Sequence, residues 1–192
     1  MLLDILKQFK WLDIVFVILF IRICFVALKN GFSSELFKFL GTLSAIFMAL
    51  HYYTYLTDVI QNRIQLNGMP LEFLDFFVFV ILALLGYFIF VALRIFLSRF
   101  MKLEAISALN KWGGFALGLF RGFFLIGLVS FALAISSTAY LSESVKSSYL
   151  GKRSFTIAPN AYKWLWSNIG SKFMSNEKLN KDILEVENNF KE

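Results

Sequence analysis

From Leu71 to Leu97 the chain runs for 27 residues of nearly unbroken apolar side chains, interrupted by charge only at Glu72 and Asp75 near its start and Arg94 near its end. About 20 such residues, at a helical rise of 1.5 Å each, cross the ~30 Å hydrocarbon core of a bilayer, and a longer run crosses it with tilt. In hydrocarbon the backbone has to satisfy its own N–H and C=O groups, which a single apolar run does by forming a helix. Three further runs have the length to do the same: Trp11–Leu28, Glu35–Leu56 and Trp112–Ala139. The expectation is an all-α integral membrane protein with four transmembrane helices and a short C-terminal amphipathic tail.

Composition points the same way. The chain is 58% apolar, against roughly 45–50% in soluble domains. Its 24 Phe would be an aggregation liability on a wet surface, whereas they suit lipid-facing and inter-helix packing. The net charge of +6 comes from basic residues at the ends of the apolar runs rather than along one solvated face. A positive-inside distribution or contact with anionic lipid accounts for that placement, and no nucleic-acid partner is expected. Cys24 is the single cysteine and lies within an apolar run, so no disulfide forms within the chain.

The polar start, residues 1–10, leads into the first run. That run has no A-x-A-like cleavage site and contains Arg22, so it reads as a retained transmembrane helix instead of a signal peptide. Lys29–Ser34 reads as a tight connection, with Gly31 supplying an unusual backbone conformation and a serine capping the next helix. The second run ends in His51-Tyr52-Tyr53-Thr54-Tyr55, an aromatic belt at headgroup level. Asn67-Gly68 and Pro70 mark a turn, and Ser98–Lys111 is polar enough for an interfacial helix.

Beyond Tyr140 the composition turns to Ser, Lys, Asn and Glu, dividing the chain into a four-helix region, 1–140, and a polar tail, 141–192. Trp164, Leu165, Trp166, Ile169 and Phe173 suit a surface amphipathic helix over about 160–173. Leu179, Ile183, Val186 and Phe190 have helical spacing, which fits either a weak amphipathic helix that meets a partner or a disordered end. Lys29, Lys38, Arg94, Arg99, Lys102 and Lys111 load the first and third loops with positive charge. Those loops are therefore expected in the cytoplasm and both termini outside it.

Gly114, Gly118 and Gly122 recur every four residues, placing one side-chain-free face on the fourth helix where another backbone can approach, within the chain or between copies. Arg121 lies on that helix ten residues, about 15 Å, beyond Lys111, so both cannot sit at one interface of a straight helix. A guanidinium held in a bilayer needs a partner. Glu35 and Asp75 are the candidates; Glu35 is preferred because the first and third loops share a side of the membrane. Arg22, midway along the first run, calls for the same explanation: a structural pair, snorkelling, or an ion, headgroup or substrate role. The lone His51 has no Cys or paired carboxylates beside it, and Ser33 and Ser34 have no histidine base. No catalytic residue, metal site or cofactor is expected.

Asn30-Gly31-Phe32-Ser33-Ser34-Glu35 is similar to the R-G-F-x-R-E motif of the bacterial colicin V production protein family, the CvpA-like membrane proteins. Asn110-Lys111-x-x-Gly114-x-x-x-Gly118-x-x-Arg121-Gly122 resembles the same family's D-R-x-x-G-x-x-x-G-x-x-R-G motif. Asn30 and Ser34 stand where that family has arginines, and Asn110 where it has aspartate. The resemblance covers about residues 11–140. It implies a multi-pass inner-membrane protein linked to colicin V production or export, a toxin-biosynthesis role, and to envelope integrity.

Three functional expectations follow. The first is a non-enzymatic accessory or scaffold with the bilayer as its environment, in which the glycines pack helices and Arg121–Glu35 forms a buried polar pair. The second is an oligomeric channel or small transporter whose polar path is lined by Arg22, Glu35, Asp75 and Arg121. The third is a membrane anchor that recruits a membrane or periplasmic protein through the tail. All three require the bilayer. After alkaline carbonate washing the protein should remain in the membrane pellet, and its release into the supernatant would refute the reading.

Overall fold

The computed structural model describes residues 9–64, 70–100 and 107–191, and no strand occurs among them. Parts of the expected polar start, of the turn near Asn67-Gly68 and of the interfacial segment before Lys111 lie outside the described residues. Three long helices, α1 (Trp11–Ile64), α2 (Leu71–Phe100) and α3 (Ser107–Ala134), precede the shorter α4 (Ala139–Ser147), α5 (Tyr149–Ser154) and α6 (Ile157–Leu165). A π-helical turn (Trp166–Gly170), α7 (Ser171–Phe173) and α8 (Asp182–Lys191) complete the chain.

Helix α1 is 54 residues long and broken at Gly31, which has φ 75° and ψ 167°. A positive φ is open to glycine and strained for residues with a Cβ. Contacts along α3 show what the break does. Phe20 packs on Phe123, Ala27 meets Gly118 and Gly31 meets Gly114, so the first arm (11–30) runs down α3. Past Gly31, Glu35 lies at the level of Gly118, Phe39 on Phe124 and Tyr53 on Phe131, so the second arm (32–64) runs back up it. The expected connection at Lys29–Ser34 is thus a reversal at one residue, and α1 is a helical hairpin.

Helix α2 runs antiparallel to the second arm, with Tyr53 against Phe79 and the Ala45 backbone against Gly86. It has little contact with α3, so α1 is the element that joins the other two. Three helical stretches, Trp11–Arg63, Leu71–Leu97 and Asn110–Ala134, are long and apolar enough to cross a membrane. Their outer faces expose Ile14, Ile18 and Phe25 on the first arm and Ile81, Leu85 and Phe88 on α2. An apolar skin of this extent fits hydrocarbon as its surroundings.

The polar tail folds onto this framework. Val145, Phe155, Tyr162, Ile183 and Phe190 are buried in the same cluster as Tyr53, Phe79 and Phe131. Phe131, Phe155 and Phe190 form a ladder of rings, with centroid separations of 5.5 and 3.9 Å. A carboxylate makes the tie specific: Asp13, fully buried, accepts hydrogen bonds from Ser148 Oγ and the Leu150 N–H, both at 2.6 Å, and from the Tyr149 N–H at 3.3 Å. It thereby takes up N–H groups at the start of α5 that the helix itself leaves unpaired. Over the expected 160–173 helix, Trp164, Ile169 and Phe173 are exposed while Leu165 is buried. In α8 the apolar side meets the chain's own core through Ile183 and Phe190.

Gly31→Ala should lower stability by about 1–3 kcal/mol, the usual cost of a strained backbone position. The new Cβ would also stand 2.3 Å from Asn110 Oδ1. Thermal unfolding in detergent measures the loss. Adding Asn110→Ala should remove the collision and leave the backbone strain, so full recovery in the double variant would contradict the role given to Gly31.

Candidate functional site

Glu35 lies in the first turn after the Gly31 reversal and is completely buried. Side chains on a helix lean toward its N-terminus. Arg121 on α3 and Lys38 on the second arm therefore both reach back toward the Gly31 end of the bundle, where the carboxylate is. Arg121 Nη2 is 3.0 Å from Glu35 Oε2, Lys38 Nζ donates to Oε1 at 2.9 Å, and Asn30 Nδ2 donates to the same oxygen at 2.9 Å. The Arg121 contact is ionic rather than a directed hydrogen bond, since Glu35 Oε2 and Arg121 Nε both lack a hydrogen-bond partner among the described residues.

The three glycines make this arrangement possible. A Cβ on Gly114 would fall 2.9 Å from the Gly31 carbonyl carbon, one on Gly118 would fall 2.2 Å from Ala27 Cβ, and one on Gly122 would strike the Phe20 ring at 2.8 Å. Only without those atoms does the first arm lie directly on α3. Gly118 also opens the space beside Glu35, whose Oε2 is 3.9 Å from its would-be Cβ. Asn110 Oδ1 accepts the Phe32 N–H at 2.7 Å, pairing one of the free donors that begin the second arm. Phe32 is half-buried and Lys111 exposed.

Of the four intramembrane charges singled out by sequence, the structure brings Glu35 and Arg121 together. Arg22 is exposed on the outer face of the first arm and makes no ion pair among the described residues. Asp75 is half-buried at the opposite end of the bundle, beside Thr57 and within electrostatic range of Glu72 and Asp182. Two of Glu35's partners are not among the candidate residues. Lys38 is legible in hindsight, because three residues apart on a helix is a pairing distance. Asn30 is not, because it reaches Glu35 across the chain reversal.

A second polar cluster ties the tail down. His51 is buried within the protein: Nδ1 lies 2.8 Å from the Tyr162 hydroxyl, and Nε2 contacts the Glu177 carboxylate. Burial pushes the Tyr162 phenol up to about 12, so it stays an O–H donor. It accepts the Asn180 N–H at 3.0 Å and shares a hydrogen bond with His51 Nδ1. Nothing around His51 in sequence announces partners over a hundred residues away. Among the described residues no group of three or more His, Cys, Asp or Glu could hold a metal ion.

These features define a small helical protein whose three long apolar helices are suited to a membrane and whose buried guanidinium meets its carboxylate on a glycine face. The chain belongs to the colicin V production protein family, which it matches over residues 12–156, from the hairpin through α5. No curated protein and no solved structure matches it.

Glu35→Gln leaves the buried Arg121 guanidinium, and Lys38 beside it, without a carboxylate and should cost about 3–5 kcal/mol, as removing one partner of a buried ion pair does. Arg121→Met leaves Glu35 paired with Lys38 and should cost less. The Glu35→Gln/Arg121→Met double variant removes the stranded guanidinium and should be more stable than Glu35→Gln. Unfolding of all three in the same detergent checks this, and a double variant no more stable than Glu35→Gln would show that the pair is not coupled.

Proposed function

We propose that this chain is a non-enzymatic, multi-pass protein of the bacterial inner membrane, acting as an accessory or scaffold in colicin V production or export and in envelope maintenance. Its family membership supports the link to colicin V production. One observation carries the scaffold reading: Arg121, Lys38 and Asn30 converge on the buried carboxylate of Glu35 at the point where the hairpin meets the glycine face. A charge held in this way fixes the register of two helices against a third. The channel reading needs Arg22, Glu35, Asp75 and Arg121 along one path, and within one chain only two of them meet.

In this reading the two arms of α1 cross the bilayer separately, which makes four crossings with α2 and α3. The first arm, 20 residues over 11–30, spans about 30 Å. The Gly31 end, carrying Lys29, Lys38, Arg94 and Lys111, faces the cytoplasm, and both termini lie on the other side. Association with further copies or with an envelope protein belongs to the same proposal.

Arg121→Leu, introduced into the membrane-embedded protein, should lose thermal stability and toxin-export or envelope function together. A variant that inserts, assembles and melts like the wild type while the phenotype disappears would overturn the register role in favour of a direct one. Ion flux through vesicles reconstituted with the wild-type protein would replace the scaffold with the channel.

A further inference from the structure

A groove of about 340 Å³ runs between the first arm, α3 and the tail. Phe16 and Phe20 form one wall, Phe123 and Ile126 the other, and Ile157 closes it from the tail side. Its walls are almost wholly apolar. Ser154 also borders it, but that hydroxyl is already paired with Ser130 Oγ at 2.7 Å. The remaining polar group is the guanidinium of Arg153.

The position of Arg153 sets the depth of the groove. Its guanidinium lies 4.3 Å from the centre of the Tyr149 ring, and Tyr149 in turn stacks on Phe9 at 6.3 Å, just ahead of the first arm. Trp11 and Tyr140, both exposed and stacked at 6.1 Å, mark the same level. Exposed Trp and Tyr pairs of this kind belong at the headgroup boundary. From Lys10 to Ile21, the residue at the far end of the groove, the first arm rises about 16 Å, close to half of a ~30 Å hydrocarbon core. The far end of the groove therefore lies about one leaflet below that level, its first-arm wall covers about 8 Å between Phe16 and Ile21, and a cation stands at its rim.

Arg153 makes no ion pair among the described residues. The nearby carboxylate of Asp13 is buried and occupied by the N–H groups of Lys10, Tyr149 and Leu150 and the Ser148 hydroxyl. Lys10 and Lys152 are exposed in the same region and add positive charge. We infer that the groove is a binding site for a phospholipid with a net negative headgroup: one acyl chain lies along Phe16 and Phe20, and the headgroup phosphate meets Arg153. A lipid is the occupant because the site joins an apolar channel that ends near mid-bilayer depth to a cation at headgroup level. The negative headgroup follows from a cation left without a counter-charge. The site rests on the membrane placement of the helices and is independent of the scaffold role.

The test uses the full chain in detergent, stripped of lipid and then offered phosphatidylglycerol or phosphatidylethanolamine of identical acyl composition, with retained lipid counted by native mass spectrometry. The wild type should retain phosphatidylglycerol about tenfold better, a preference of about 1.4 kcal/mol. Arg153→Gln, on an exposed side chain, should abolish the preference without impairing folding. Val17 also lines the groove beside Phe16, and Val17→Trp, which fills it, should reduce retention of both lipids. Equal retention of the two lipids by the wild type, an undiminished preference in Arg153→Gln, or undiminished retention in Val17→Trp would each overturn the site.

Discussion

A guanidinium inside a helical bundle surrounded by hydrocarbon has to be neutralised where it stands, and Arg121 is neutralised by Glu35. Much of the architecture at that end follows from bringing these two groups together. Glu35 reaches α3 because the chain reverses at Gly31 rather than through a longer loop. The first arm can lie against α3 because Gly114, Gly118 and Gly122 remove the side chains that would hold it off. Lys38 and Asn30 then complete the shell around the carboxylate.

The other end of the bundle is held differently. There the tail supplies rings and polar hooks: Phe155 and Phe190 extend the aromatic ladder begun by Phe131, Asp13 grips the start of α5, and His51 links Tyr162 to Glu177. Asp13 and His51 each sit on α1 and hold a segment over a hundred residues away. The hairpin is thus tied to α3 by charge at one end and to the tail by hydrogen bonds and ring packing at the other. The same closure forms the apolar groove, because α5 and α6 border it on the tail side.

Much of the candidate site could be read from spacing. Glycines every four residues announce a close helix contact, and an arginine among them announces a carboxylate. The preference for Glu35 over Asp75 came from which loops share a side of the membrane, and it is Glu35 that the structure places beside Arg121. Lys38, three residues on, was within reach of the same reasoning. The tail was less legible. Its charged composition describes the side of α8 that meets water, while Ile183 and Phe190 are too few to reveal that the other side is core.

What the sequence determined by itself is the list of apolar runs, the glycine face and the need of Arg121 for a partner, because helix length, periodicity and the cost of a bare charge in hydrocarbon are local properties. Only the tertiary structure decided that Asn30 serves Glu35, that Asp13 and His51 bind the tail, and that Arg153 borders an apolar groove. Those outcomes depend on groups brought together by the chain reversal and by the return of the tail, and separation along the chain carries no record of either.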